Sequence, residues 1–440
     1  MNVYLVIGIV LVVFFILLAL GQSISSLLAT VGLLGIFLLE GPQLIGGFLE
    51  STPFTTVAGY TLTTIPLYIL MAQFILQSGI IKDFYDIIYK IARGKASVLG
   101  ALTIVLGGIL GAVSGSGSAT SATMGQIAYP ELVRRGFNKG LAGAVAAAAG
   151  SLSAIIPPSI ILIVYGSITQ TSIGELFMAA LLPGIAMIIV FTFYSIYQYK
   201  KTSTTVTNEM TIAEEELAAA SAPSIYRYMI AAVCGALVLG IIFVGIYSGI
   251  FTPTEAGAVG AFIGFLTAAC LGQINLKFLK ESLVSTINVT GMVLLIMIGA
   301  QLFSQFLSLS LLPRKLIEVL GSFVEYPFLI ITLLLVIYFI MFMFIEGIAV
   351  IVMTVPVVLP LINIMGYDPI WFGILICIMC TVGALTPPVG MSVYVVSGIT
   401  KVKMGEIFKQ AIMYAVLVTI IVGGLMMVFP ELATWLPSKL

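Results

Sequence analysis

Stretches of roughly 20 apolar residues, the length that crosses a bilayer as a helix, recur along nearly the whole chain, from VYLVIGIVLVVFFILLAL at its start to MYAVLVTIIVGGLMMVF near its end. In hydrocarbon such a segment has no water to bond its N–H and C=O groups, so each must form an α-helix and close its own ladder. The composition agrees: 60% of the 440 residues are hydrophobic, 8% are charged and the mean hydropathy is +1.21. This pattern describes an all-α polytopic membrane protein with no room for a sizeable soluble domain. Eighteen basic and 18 acidic residues cancel, which leaves no field to draw nucleic acid. Histidine is absent, which removes imidazole bases, Ser-His-Asp hydrolysis, haem ligation and nearly all zinc chemistry. No other acid-base pair suggests an enzyme. Cys377 and Cys380 form a CxxC in the middle of GILICIMCTVG, where they read as packing rather than redox residues.

The hydrophobic windows predict spans near 2–20, 24–39, 60–78, 140–170, 176–198, 226–249, 254–273, 283–306, 370–399 and 411–429. The first has neither a basic flank nor a small-residue cleavage pattern and reads as a span rather than a removed signal. Two further apolar segments, 97–132 and 327–363, are expected to be re-entrant hairpins, because each looks too short for two crossings plus a turn and each has a polar or Gly-rich middle. Arg93 and Lys95 precede the first, and Arg134, Arg135 and Lys139 follow it, so both ends lie on one side with the tip near Ser114 to Ser118. Basic residues stay on the cytoplasmic side. That rule places 15 of the 18 inside, all but Arg314, Lys315 and Lys439. Both termini then fall outside, the first hairpin opens to the cytoplasm, and the second, with its tip at FIEGIAV, opens outward. IIKDFYDIIYKIARGK at 80–95 and LLPRKLIEVLGSF at 311–323 are amphipathic and predict helices lying in the interface plane. Residues 200–225 read as a cytoplasmic linker, with Glu214 to Glu216 on a solvated helix face.

An internal repeat supports the same picture. At an offset of 230, Gly117 matches Gly347, Pro130 matches Pro360, and Pro157 and Pro158 match Pro387 and Pro388; one residue later in register, Gly174, Glu175 and Phe177 match Gly405, Glu406 and Phe408. An ordered series with preserved spacing points to duplication. Residues 1–199 form one copy and 226–440 the other, each with three spans, an arm helix, a hairpin, a broken span and a final span. Five net crossings is an odd number, so the second copy must insert upside down, a recurrent build among secondary transporters.

The chemistry concentrates where the helices must fail. Pro157-Pro158 and Pro387-Pro388 fall within the spans 140–170 and 370–399, where each pair removes amide donors and clashes with the preceding turn, freeing carbonyls at membrane depth. By symmetry a hairpin tip should face each break. The first tip, VSGSGSATSATMG, collects Ser114, Ser116, Ser118, Thr120 and Ser121 around Gly115 and Gly117, whose missing side chains permit tight backbone paths. Hydroxyls and freed carbonyls are neutral oxygen ligands, and they hold a sodium ion without desolvating a carboxylate. The second tip carries Glu346, the one acid placed near the middle of the bilayer; it is suited to cation coordination, to orienting substrate hydroxyls or to carrying a proton. Glu175 and Glu406, at helix starts, fit ordinary N-terminal stabilisation. No GxxxxGK[ST] occurs anywhere, which argues against ATP hydrolysis by this chain.

SGSGSATSA with YPELVRRGF, IIPPSIILIVYG with SIGELF, and EGIAVIVMTVPVVLPLI with GALTPPVG together resemble the large membrane subunit of tripartite ATP-independent periplasmic (TRAP) transporters, of the DctM or SiaM type. The likeness spans nearly the whole chain. It implies a bacterial inner-membrane importer of small carboxylates, sialic acid and C4-dicarboxylates among them, driven by two or more sodium ions. It also implies an elevator domain of hairpins and broken helices within a frame of outer spans. Two partners follow from it: a small four-helix membrane subunit, expected as a separate polypeptide, and a soluble periplasmic protein that delivers the substrate. Carried over by motif, one sodium site falls among Ser114, Ser116, Gly150 and Pro157, and a second among Gly347, Gly383 and Thr386. Substrate is expected near Ser116, Ser118, Ser153 and Glu346, with Gly115, Gly117, Pro158, Pro387 and Pro388 shaping the tips and breaks. A stand-alone sodium- or proton-coupled symporter of the same build is the other reading.

Overall fold

Each apolar run becomes a helix in the computed structural model, which describes residues 2–202, 225–321 and 325–439. The first half runs α1 (Val3–Ala19), α2 (Ile24–Glu40), α3 (Gln43–Val57), α4 (Thr64–Gln77), α5 (Ile80–Ala92), α6 (Ala96–Ser114), α7 (Gly117–Arg134), α8 (Lys139–Ser151), α9 (Ile160–Thr169) and α10 (Ile173–Thr202). The second runs α11 (Ile225–Gly240), α12 (Pro253–Cys270), α13 (Leu276–Leu309), α14 (Leu312–Leu320), α15 (Pro327–Phe344), α16 (Gly347–Ile364), α17 (Pro369–Gly383), α18 (Met391–Thr400), α19 (Met404–Val418), α20 (Gly424–Val428) and α21 (Glu431–Thr434). Among the described residues, nine helical segments are long and apolar enough to cross a bilayer.

Helix ends fall where the sequence supplies caps. Asn138 and Asp368, which are 230 residues apart, cap α8 and α17 by accepting from Gly140 N–H and Ile370 N–H at 2.9 and 2.7 Å. Thr252 and Glu255 close a capping box at the start of α12. The offset governs element boundaries as well. α7 and α16 are each 18 residues long and carry Pro130 and Pro360 inside. α9 and α18 are each ten residues long and end in left-handed conformation at Gln170 and Lys401. Both the Pro157-Pro158 and Pro387-Pro388 peptide bonds are cis.

Three expectations need correction. The segments 97–132 and 327–363 are not too short to cross: their arms have 18 or 19 residues, about 27 Å or more at the helical rise, so length does not decide whether they dip or traverse. The sequence predicts no helix over 43–57, yet α3 stands there, held to α13 by Gln305 Nε2 donating to Thr52 Oγ1 at 3.1 Å. The linker expected at 200–225 is helical at both ends, through Thr202 and from Ile225; residues 203–224, with the acidic face expected at Glu214 to Glu216, lie outside the described residues.

The core sits around α8 and α17, buried throughout from Gly140 to Ser151 and from Ile370 to Gly383. Around it, helices pack through small residues. A Cβ at Gly32 of α2 would lie 2.7 Å from the Leu302 backbone of α13, and one at Gly299 of α13 would lie 2.4 Å from Ser25 O of α2. The arm α5 lies between α11 and the first hairpin. Its buried Asp83 accepts from Arg227 Nε and Nη2 of α11 at 3.2 and 3.0 Å, Lys90 stands 4.2 Å over the Tyr228 ring, and Arg135 of the hairpin stands over Tyr89 at 4.8 Å. At the other arm, Lys315 of α14 stands 4.5 Å over the ring of Tyr4 in α1, which puts α14 and the start of the chain at one end of the molecule.

Candidate functional site

The first tip is a two-residue turn. Gly115, with φ +59°, ends α6, and Ser116 caps α7 with its side chain accepting from Ala119 N–H at 3.4 Å. Ser114 Oγ pairs with Thr120 Oγ1, which donates to Ser116 O at 2.9 Å, while Ser116 Oγ and Ser118 Oγ lie 3.2 Å apart. The first break faces this turn. A Cβ at Gly115 would sit 3.1 Å from Pro158 O, and one at Gly117 would sit 3.4 Å from Ser153 Oγ. Ser153 donates to Gly150 O at 2.9 Å, and Ser159 to Ala154 O at 2.9 Å. Residues 151–160 are all buried.

The second tip repeats the arrangement with different residues. Glu346 caps α16, its carboxylate accepting from Ile348 N–H at 3.0 Å. Gly390 N–H, at the exit of the second break, donates to Met343 O at 3.3 Å, and Thr386 Oγ1 donates to Val382 O at 2.7 Å. A Cβ at Gly383 would lie 2.5 Å from Phe342 Cβ, and one at Gly347 would lie 2.8 Å from Cys380 Sγ. The Gly347 and Cys380 contact stands 230 residues on from the approach of Gly117 to Gly150. The two tips also meet each other's neighbourhood through α9: Gly115 abuts Ile160, and Gly347 abuts Ile161, each through built Cβ distances of 3.2 and 2.8 Å.

The starts of α7, α9 and α16 therefore gather at one place, with the start of α18 bonded to the end of α15. Helix N-termini present free N–H groups and favour anions, whereas C-terminal carbonyls at Ser114, Gly150, Met343 and Gly383 favour cations. The donors near the first break are hydroxyls and carbonyls of the kind a hard monovalent cation takes. Ser121 adds a fully buried Oγ that has no hydrogen-bond partner among the described residues, set against Gly150. Among the described residues, no group of three or more His, Cys, Asp or Glu gathers as a transition metal would need.

Of the expected site residues, Ser114, Ser116, Gly150, Pro157 and Ser153 come together at the first tip and break, and Gly347, Gly383, Thr386 and Glu346 at the second. They differ in access. Ser118, Glu346 and Pro388 are exposed, whereas Ser153 is fully buried beneath Gly117. Sequence reasoning groups Ser121 with the first tip but missed Cys380 as a wall of the second candidate site; the signal for Cys380 was its position 230 residues after Gly150. A separate cavity of about 400 Å³ lies between α13 and the second hairpin, lined by Gln301, Ser304, Ser167, Gln170, Pro356 and Pro360 among others. None of the expected site residues lines it.

A family model for the tripartite ATP-independent periplasmic transporter DctM component matches residues 11–432. The chain is 30% identical to the C4-dicarboxylate TRAP transporter large permease protein DctM of Pseudomonas aeruginosa over 394 residues, which is 88% of this chain and 86% of that protein. It is 28% identical to the sialic acid TRAP transporter large permease protein SiaM of Vibrio cholerae over 397 residues, 90% of this chain and 88% of that one. Against the 2,3-diketo-L-gulonate TRAP transporter large permease protein YiaN of Escherichia coli, identity is 27% over 81% of each chain. Among solved structures, the YdaH transporter of Alcanivorax borkumensis shares the fold, with a TM-score of 0.69 over 90% of each chain at 15% identity.

Proposed function

The chain belongs to the DctM component family of tripartite ATP-independent periplasmic transporters, and from that premise we propose that it imports a small organic acid across a bacterial inner membrane, driven by sodium. The observation that carries this reading is the meeting of each hairpin turn with a Pro-Pro break, where helix N-termini and C-terminal carbonyls face a common space. Ser114, Ser116, Gly150 and Pro157 would hold one sodium ion, and Gly347, Gly383 and Thr386 a second. The anion would lie between the tips, near Ser116, Ser118 and Glu346, with Ser153 supporting the tip from beneath. One net charge moving through 100 mV is worth about 2.3 kcal/mol; two sodium ions with a monovalent anion carry one net charge inward, three with a dicarboxylate do the same, and the sodium concentration gradient adds to that.

Residues 1–199 and 226–440 act as inverted repeats. Their shared element boundaries at offsets of 230 and 231 support that relation. The hairpins are re-entrant, and with the broken helices they move as an elevator against a frame that includes α2, α4, α12 and α13. Both termini lie in the periplasm. The relatives are named for C4-dicarboxylate, sialic acid and 2,3-diketo-L-gulonate, all acids rich in oxygen, which is the chemistry that N-termini and hydroxyls recognise. A small membrane subunit and a periplasmic binding protein complete the transporter.

Proteoliposomes carrying the chain with both partners test this. Radiolabelled dicarboxylate or sialic acid should accumulate only with an inward sodium gradient and a loaded binding protein. Accumulation without the binding protein would favour the stand-alone symporter; accumulation in sodium-free buffer under a proton gradient would assign the coupling to Glu346.

A further inference from the structure

Cross-element contacts gather a group of cations at one end of the molecule. Gln198 Nε2 of α10 donates to Gln410 Oε1 of α19 at 2.8 Å, Tyr199 OH donates to Arg135 O at 3.3 Å, and a Cβ at Gly140 would lie 2.6 Å from Glu406 O. These contacts hold the end of α10, the turn between α7 and α8, and the turn between α18 and α19 side by side. On that face Lys139, Lys200, Lys201, Lys401, Lys403 and Lys409 are all exposed, and none forms an ion pair with a described residue. Among the described residues, the acids there are Glu406, which is exposed, Glu131, which is taken by Arg134 at 2.7 Å, and Asp86 of the neighbouring α5, within electrostatic reach of Glu131.

Neighbouring side chains fix the depth of the cations. On α10, Phe193 and Tyr197 are 69% and 60% exposed, and Lys200 and Lys201 follow within one turn. On α19, the exposed apolar run Ile412, Met413 and Val416 begins within one turn of Lys409. Exposed aromatics next to lysines mark the layer where acyl chains give way to headgroups, so these ammonium groups stand at phosphate level. A cationic cluster at that level, in excess over the described carboxylates beside it, meets the negative surface of anionic lipid.

We propose that this face binds the phosphodiester headgroups of anionic phospholipid, tying the hairpin-bearing half of the molecule to the cytoplasmic leaflet. The assignment rests on the orientation proposed above but not on sodium coupling, and the test, made in detergent, requires neither. Each lysine near an anionic surface contributes roughly fivefold to binding, so removing three should cost on the order of a hundredfold at low salt.

The purified full chain, exchanged into neutral detergent with equimolar phosphatidylglycerol and phosphatidylcholine, is washed and its retained lipid measured by mass spectrometry. Wild type should retain phosphatidylglycerol at least about tenfold over phosphatidylcholine, and the preference should collapse in about 0.5 M salt, where the Debye length falls to a few ångströms. Lys139→Gln/Lys403→Gln/Lys409→Gln should remove it, and Lys277→Gln/Lys280→Gln should leave it. Equal retention of the two lipids, a preference indifferent to salt, or an unchanged preference in the triple variant would overturn the proposal. Displacement of the lipid by millimolar inorganic phosphate or succinate would also overturn it, by marking a site for soluble anions. Because the salt response is read on the wild type, the test stays decisive if the triple variant does not fold.

Discussion

Gly347→Ala probes the joint between the second tip and the elements beneath it. The new Cβ would lie 2.8 Å from both Cys380 Sγ and Ile161 Cδ1, each 0.6 Å inside the 3.4 Å at which ordinary contact begins. Both partners are 8% exposed and enclosed, so they cannot swing away freely. Overpacking of this size costs about 1–3 kcal/mol. Since tip and break must stay in register for transport, uptake should fall by about tenfold or more, at roughly 1.4 kcal/mol per decade. The overlap is with two terminal atoms, so Cys380→Ala and Ile161→Val should each relieve it. The coupling energy between Gly347→Ala and Cys380→Ala should reach at least about 0.5 kcal/mol in the direction of rescue. Gly398→Ala in α18, with nothing within 4 Å of the new methyl, is the control and should behave as wild type. Thermal unfolding in detergent and initial uptake rates in proteoliposomes measure both effects. Wild-type stability and uptake in Gly347→Ala, or strictly additive effects with Cys380→Ala, would refute the packing argument.

Ser116→Ala and Glu346→Ala should each abolish uptake while leaving membrane insertion intact, with a stability cost of about 1 kcal/mol for the lost helix cap; normal transport in both would remove the site assignment. Replacing sodium by potassium on both sides should stop accumulation, which a flow assay of labelled anion would register directly. Arg227→Gln should destabilise the protein by about 2 kcal/mol, below the 3–5 kcal/mol of a fully buried pair because Arg227 is 36% exposed, and it would strand the Asp83 carboxylate, which is 2% exposed. The double variant Asp83→Asn/Arg227→Gln should recover part of that loss in a melting experiment, and a double variant weaker than the single one would contradict the pairing.

The residues that gather at the tips and breaks are legible in the sequence because they break rules that hydrocarbon imposes. Tandem prolines inside apolar runs and a Gly/Ser turn between two of them have few other uses, and the structure brings Ser114, Ser116, Gly150 and Ser153 together as their pattern suggests. What escaped depends on partners far away in sequence. α3 carries Gly46, Gly47, Glu50 and Pro53 and has no apolar stripe to announce it; its place comes from Gln305, some 250 residues distant. α13 runs from Leu276 because Asn275 caps it, accepting from Phe278 N–H at 2.9 Å, so helix continues well before the apolar window at 283–306. Cys380 looked like an ordinary core residue because nothing local reveals that Gly347 rests on it. Length does not tell whether the hairpin arms dip or cross, because each turn takes only two residues, Gly115 and Ser116 in the first and Ile345 and Glu346 in the second.

The central claim is that the two hairpins fold back from opposite faces of the membrane. Single cysteines at Lys95, Asn138, Tyr326 and Asp368, in a chain whose four native cysteines are replaced by serine, can be labelled in intact cells with a membrane-impermeant maleimide added from the periplasmic side. The account predicts labelling at Tyr326 and Asp368 and protection at Lys95 and Asn138 until the membrane is opened. Labelling at only one end of either hairpin would contradict it, because that hairpin would then pass through to the far side.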